Sequence, residues 1–497
     1  MAGIGFELKK IFKDETYINR TKAYLYSALV AAGPWIAAVI TVNLLLFIMN
    51  IILKDPGEKE LFMGTIVYSF IFSQIFTAPW QMIITRYVSD RLYVKEYQFI
   101  RPSFLGLSKI VTFLSLIGCI IFYYDKGLPL YYKIFAGYLF LIITLIWIIM
   151  VYLSAVKNYS LIAKAYIYGG ITSIVLIFFF LNNLIPFPKF IYGTNLLLAY
   201  LAGLTVTYIM LAYNFLATFY YGNNLEYDFF RYLNKFPSLF FVGLFYTLGL
   251  WIDDILMWFS VAGVIIYETY TYAPIYDNAV FLAYLTTIPT TVLFLVSVET
   301  DFYDTYKKYY GLANGTGTIK EINSAKKEMQ LSLFYSLLYT FEVQALISFT
   351  IILLSPQIFN FLNISVLIRN IFRVCALGAL FNIFILVLIL IFLYFESRIQ
   401  ALFISFLFFI SNLTFTEYFI DKGIKYYGYG FTLGAFISFI AALLMMVNFL
   451  KNINFKTFNL QRLFVTEDRG FFTKLARVLN QLQAKTKEEI NYINNHF

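Results

Sequence analysis

The sequence predicts an all-α integral membrane protein: twelve transmembrane helices in two six-helix bundles, with the N and C termini cytoplasmic. Three observations predict it. Of 497 residues, 61% are hydrophobic and only 13% charged, at a mean hydropathy of +0.74. A soluble chain is about 45–50% apolar and about 25% charged, so the charge that would solvate a large surface is missing. The apolar residues fall in runs of membrane-crossing length, and the basic residues gather between alternate runs.

A hydrocarbon core about 30 Å thick needs about 20 apolar residues at 1.5 Å rise each. Twelve such runs are bounded by charge or turn residues: 24–52, 61–85, 104–124, 134–156, 165–186, 191–221, 237–262, 279–298, 332–354, 371–394, 399–420 and 427–450. The seventh is the least regular, because it is longer than one straight crossing requires and holds two aspartates. The domain plan that follows is an interfacial segment 1–23, a first bundle 24–221, a linker 222–236, a second bundle 237–450 and a basic tail 451–497.

Counting Lys and Arg on alternate sides places 28 on the side of the termini and 9 on the other. Cytoplasmic loops carry the positive excess, so both termini are expected inside. The net charge of +9 then belongs to the inner membrane face and not to a nucleic-acid partner. No cleavable signal peptide is expected, since the first apolar run exceeds a signal h-region. Ile4, Leu8, Ile11 and Phe12 beside Lys9, Lys10 and Lys13 predict a short interfacial helix. In the tail, Phe472, Leu475, Leu479 and Leu482 share a helical face, with Lys474, Arg477 and Lys485 elsewhere. That pattern suits a membrane surface or a partner helix.

The two halves share features at the start of each bundle. Span one contains Gly33-Pro34-Trp35-Ile36 and span seven contains Gly249-Leu250-Trp251-Ile252. Gly weakens a helix and Pro34 removes a backbone hydrogen bond, so Gly33, Trp35, Gly249 and Trp251 are hinge or cavity candidates. Pro79 and Pro289 each precede a tyrosine, Tyr93 and Tyr303, by 14 residues. A duplicated unit with kinked first helices suits alternating access; the plain alternative is that Gly and Pro are common in membrane helices.

Ionisable groups at membrane depth cost about 2.5–3.5 kcal/mol on insertion scales, which singles out Glu342, Asp253 and Asp254 as transport-cavity candidates, the alternative for Glu342 being a neutral acid or a helix-to-helix hydrogen bond. Glu342 lies about 15 Å below Ser332 by helical rise, near the midplane. Asp253 and Asp254 are adjacent, diverge by about 100° on a helix, and face one spot together only if the helix breaks, for which Gly249 is the natural place. At the cytoplasmic ends, Arg86, Asp90 and Arg91 close span two while Glu299, Asp301 and Asp304 close span eight. Arg86, Asp90 and Glu299 are gate candidates, and a solvated helix end is the alternative. Glu417, Lys164 and Arg373 lie where long side chains reach headgroups and read as structural.

Chemistry in the chain itself is not expected. The single histidine is His496, and Cys119 and Cys375 sit in apolar runs, so catalytic residues, cofactors and metal ligands are all expected to be absent. The external loops reach only about 16–17 residues, too short to hold an acceptor for a transferase. Aromatic residues are 21% of the chain, with 42 Tyr and 56 Phe, more than two interfacial belts need. Tyr presents a flat apolar face and a hydroxyl, which suits sugar rings.

Several stretches together resemble one family. Met1-Ala2-Gly3-Ile4-Gly5-Phe6-Glu7-Leu8, Gly33-Pro34-Trp35, Ser89-Asp90-Arg91-Leu92-Tyr93, Gly249-x-Trp251-Ile252-Asp253 and Glu299-Thr300-x-Phe302-Tyr303 are similar to PelG, the inner-membrane proteins of Pel exopolysaccharide export. The resemblance runs over nearly the whole chain except the tail beyond about residue 455. It implies a twelve-helix exporter similar to the multidrug/oligosaccharidyl-lipid/polysaccharide superfamily, in the bacterial cytoplasmic membrane. It also implies a galactosamine-type polymer as cargo, a cytoplasmic glycosyltransferase fed by a UDP-sugar, and membrane partners including a receptor for cyclic di-GMP. The alternatives are a lipid-linked oligosaccharide flippase or cation-coupled antiporter of that superfamily, and a scaffold that activates the synthase without forming the path.

Overall fold

The computed structural model describes residues 33–34, 36–48, 56–155, 159–181, 194–220, 222, 225–297, 302–459 and 470–496. In chain order the helices are α1 (Ile36–Ile48), α2 (Pro56–Tyr93), α3 (Ile100–Tyr123), α4 (Leu130–Ala155), α5 (Tyr159–Leu181), α6 (Thr194–Thr218), α7 (Arg231–Lys235) and α8 (Pro237–Trp258). A hairpin of β1 (Val264–Ile266) and β2 (Tyr270–Tyr272) follows, then α9 (Pro274–Leu285), α10 (Ile288–Ser297), α11 (Tyr303–Ala313), α12 (Ile319–Phe361) and α13 (Val366–Tyr394). The chain closes with α14 (Arg398–Ile420), α15 (Tyr429–Lys451), α16 (Ile453–Asn459) and α17 (Phe471–His496).

Ten of the described helices are long and apolar enough to cross a bilayer, which makes this a multi-pass membrane protein. The first predicted span is described over 33–34 and 36–48, the latter a shorter apolar helix, and the interfacial segment 1–23 lies outside the described residues. The eighth predicted span is corrected: 279–298 is not one helix but the end of α9 and α10, interrupted at Thr286 and Thr287. Pro289 supplies no N–H and crowds the carbonyl four residues back. The carbonyls of Ala283 and Tyr284 accept both the N–H groups (3.1 and 3.0 Å) and the hydroxyls (2.7 and 2.8 Å) of Thr286 and Thr287, which close the end of α9 as a tight turn. Pro79 instead sits within the uninterrupted α2.

Contacts divide the described residues into two compact units: one within Trp35–Thr247, Ile265–Tyr270 and Val465–Phe497, the other within Leu248–Val264 and Thr271–Phe464. In the first, α5 and α6 meet through small residues. The Thr207 hydroxyl lies 3.0 Å from the Gly203 carbonyl on its own helix and 3.3 Å from that of Ala165 across the interface. Lipid tails are as apolar as Leu, so close backbone approach and hydroxyl bonds hold such helices together. Trp147 of α4 donates its indole N–H to the Ser73 hydroxyl of α2 at 3.1 Å, and the Thr65 and Tyr132 hydroxyls join the same helices at 2.8 Å.

In the second unit α13 is buried along most of its length. Beside it α14 and α15 pack tightly, with the Ser411 hydroxyl 3.1 Å from both the Gly434 carbonyl and the Ser438 hydroxyl. A capping box in which Thr318 and Glu321 exchange side-chain-to-backbone bonds starts α12, satisfying two of the N–H groups a helix start leaves over.

Candidate transport site

In the second unit, α8, α9 and α14 converge on a buried polar cluster. Asp253 is completely buried. Its Oδ2 accepts the Tyr276 hydroxyl at 2.7 Å, and its Oδ1 accepts the Asn412 amide at 2.9 Å. The same amide donates to the Gly249 carbonyl at 2.8 Å, and the Thr416 hydroxyl returns a bond to the Asn412 oxygen at 2.9 Å. Each member therefore holds the next in a single rotamer, and Asn412 is the group that ties α14 to α8.

Gly249 is not the site of a break. α8 is continuous through it, and its missing side chain admits α14: a Cβ there would lie 2.6 Å from Phe408 Cδ1 and 3.0 Å from the Phe409 nitrogen. Asp254 turns away from Asp253 along the helix, as their spacing requires, and faces Asp277 of α9. The Asp277 Oδ2 accepts the Trp258 indole N–H at 3.0 Å and the Ala273 N–H at 3.1 Å. Asp254 and Asp277 lie within hydrogen-bond reach of each other, and among the described residues no Lys or Arg forms an ion pair with any of the three carboxylates.

The other predicted residues lie apart from this cluster. Trp251 is half-buried on α8. Gly33 is helical and half-buried, while Trp35 lies outside the described residues. Glu342 stands on the exposed face of α12, between Tyr339 and Leu346, which are 51% and 69% exposed. The buried face of the same helix carries Thr340, Gln344, Ser348 and Ser355. Gln344 is the residue that sequence reasoning passed over. Its amide donates to the Thr286 carbonyl at 3.0 Å and the Ser348 hydroxyl at 2.9 Å, and its oxygen accepts the Thr290 hydroxyl. It thereby fills the gap between α9 and α10; the available signal was Thr286-Thr287-Ile288-Pro289, a run that leaves a carbonyl to be satisfied.

In the first unit the predicted gate residues join a different set. Arg86 pairs with Asp90 one turn on at 3.1 Å, and Asp90 accepts the Tyr232 hydroxyl at 3.0 Å. Asp228, 2% exposed, receives Arg91 at 2.5 Å and Arg231 at 3.0 Å. Lys109 of α3 reaches Glu226 at 2.5 Å. These bonds clamp the linker 226–232 to the ends of α2 and α3. Glu299 lies outside the described residues, so a pairing between it and Arg86 is not part of the described geometry.

The architecture has solved counterparts. An outward-facing multidrug resistance MATE family transporter of the MOP superfamily is similar with a TM-score of 0.59 at 14% identity, over 86% of this chain and 96% of the other. A MOP superfamily transporter from Pyrococcus furiosus gives 0.58 at 14% identity over 86% and 96%. A MATE in complex with MaD5 gives 0.57 at 15% identity, again over 86% and 96%. At such identities the likeness establishes the fold. No curated protein matches the sequence. The model of the PelG family, described as "Putative exopolysaccharide Exporter (EPS-E)", matches residues 1–458, and with a MOP-type fold over the same helices this chain belongs to the PelG family.

Proposed function

We propose that this chain carries a growing, galactosamine-rich exopolysaccharide of the Pel type across the bacterial cytoplasmic membrane as the polymer leaves a cytosolic synthase. Family membership over residues 1–458 is the observation that carries this reading. The fold of MOP transporters supports it, because in that class two bundles rock about a central path. Glu342 fits a hydrated route: a carboxylate in mid-helix on an exposed face costs about 2.5–3.5 kcal/mol against lipid, a cost that water or sugar hydroxyls remove. Asp253, held by Tyr276 and Asn412, serves as a rigid joint, with Trp35, Trp251 and Gly33 as path or hinge positions. Arg86, Asp90 and Glu299 serve at the cytoplasmic entrance, where the synthase and cyclic di-GMP-responsive partners would dock.

Inverted membrane vesicles carrying the synthase, with and without this protein, test the reading. Given labelled UDP-sugar, polymer should become protected from an added hydrolase only when this protein is present. Equal protection without it overturns the transport role, and loss of polymer synthesis without it favours the scaffold. One observation supports an ion-coupled flippase or antiporter as a second reading: Asp254 and Asp277 face each other without a cationic side chain. Protection that disappears when the proton or sodium gradient is collapsed would move this reading ahead of export driven by elongation.

A further inference from the structure

The C-terminal helix α17 begins beyond residue 458, where the family match ends, and it is docked on the first unit. Oriented with its oxygen toward the helix start, the Asn234 amide accepts the N–H groups of Phe472 (3.2 Å) and Thr473 (2.8 Å). The linker thus provides the cap that the helix lacks in its own sequence. Gly470 precedes it at φ 154°, and a Cβ there would lie 2.6–2.8 Å from the Asn234 amide. About two turns further on, the Asn480 oxygen accepts the Tyr227 N–H at 3.0 Å. Thr473, Ala476 and Asn480 form the buried face.

The face opposite carries Phe471, 71% exposed, and Val478, 50% exposed, with the half-buried Leu475 between them. At 100° per residue these three lie within about 60° of arc. Lys474 and Arg477 are exposed along one edge of that stripe. Leu475 and Leu482 of the expected apolar face lie on this stripe, Leu482 being 55% exposed, whereas Phe472 is half-buried and stacks on Phe230 at 6.4 Å and its neighbour Phe471 takes the outer position. A run of aromatic contacts ties the helix start to a crossing helix. Phe472 meets Phe230, Phe230 meets Trp80 at 6.2 Å, and Trp80 meets Phe240 at 5.7 Å. Phe240 is the fourth residue of the membrane-crossing helix α8, so the start of α17 is tied through rings to the first turn of a crossing helix.

We infer that the outer face of α17 lies on the bilayer, with Phe471, Leu475 and Val478 in the interfacial hydrocarbon and Lys474 and Arg477 on anionic phospholipid headgroups. An apolar stripe with a basic edge, on a helix whose first turn packs through Phe230 and Trp80 against the start of a crossing helix, has the charge and shape complementary to that surface. The helix thereby anchors the linker, to which it is bonded on its other side, to the membrane plane.

The full chain, with Cys119→Ala and Cys375→Ala, is labelled at Val478→Cys with an environment-sensitive dye and reconstituted in phosphatidylglycerol-rich or phosphatidylcholine vesicles. The expected result is blue-shifted emission quenched by spin-labelled lipid in the anionic vesicles. Lys474→Gln and Arg477→Gln should each lower the ratio of lipid-seated to water-exposed probe by about fivefold. Quenching by aqueous iodide alone, equal in both lipids, overturns the inference. So does a blue shift that is insensitive to lipid charge and to both variants but grows with protein density, which assigns the face to a second copy. A Phe471→Cys probe repeats the measurement one turn and more away, so that a misfolded Val478 variant leaves the inference testable. Neither probe reads export.

Discussion

Asn412 donates to two acceptors on one neighbouring helix, the Gly249 carbonyl at 2.8 Å and Asp253 Oδ1 at 2.9 Å. Replacing it by Ala leaves both acceptors buried without a donor, a cost of about 1–3 kcal/mol. Asn412→Ala should lower the thermal unfolding midpoint of the detergent-purified protein. In Asp253→Leu the Asn412 substitution should cost less than in the parent, because one orphaned acceptor is gone. Equal losses in both backgrounds would show that the two residues do not act together.

Gly249→Ala should destabilise by about 1–3 kcal/mol through overpacking against Phe408 and the Phe409 backbone. Gly118 in α3 offers the control, since a Cβ there meets nothing within 4 Å. Gly118→Ala should be neutral or stabilise by up to about 1 kcal/mol, by reducing the freedom of the unfolded chain. The pair is compared by unfolding in the same detergent.

Gln344→Leu keeps the volume but removes the donor for the Thr286 carbonyl and the acceptor for the Thr290 hydroxyl. A loss of about 1–3 kcal/mol is expected. Gln344→Glu retains the acceptor and should fall between. Hydrogen exchange at 286–291 should rise first, since that is where the bonds are lost.

Asp228→Asn weakens the clamp to Arg91 and Arg231, and Asp228→Ala removes it. Breaking a buried pair costs about 3–5 kcal/mol, reduced here because Arg91 and Arg231 are 20% and 37% exposed. Faster protease cleavage within 222–236 is the readout, with Arg231→Gln expected to have the smallest effect.

Gly470→Val places a branched side chain against the Asn234 amide and in a backbone conformation that disfavours it. Faster hydrogen exchange across 471–480, with no change in the exchange of α13, is the expected outcome.

The crossing segments were legible because each is a local property: about 20 apolar residues in a row pay for no partner, and lipid burial alone decides them. The sequence likewise marked Asp253 and Asp254 as costly, the tail as amphipathic, and the family through short motifs spread over the chain. What it did not reveal was who answers each polar group. Asn412 lies 159 positions from Asp253, Arg91 lies 137 from Asp228, and Gln344 lies 54 from Thr290. Pro289 carried the signal of a break, but an internal proline does not break every helix, as Pro79 in α2 demonstrates. Where α9 parts from α10, the Thr286 carbonyl is met by Gln344, 58 positions away. Composition thus determined that this chain lives in a membrane, and local apolar length placed most of the crossing-length helices but not the break between α9 and α10. Tertiary structure alone decided which helices meet and where the tail docks, because a buried hydrogen bond is a relation between distant residues and leaves no mark on either one alone.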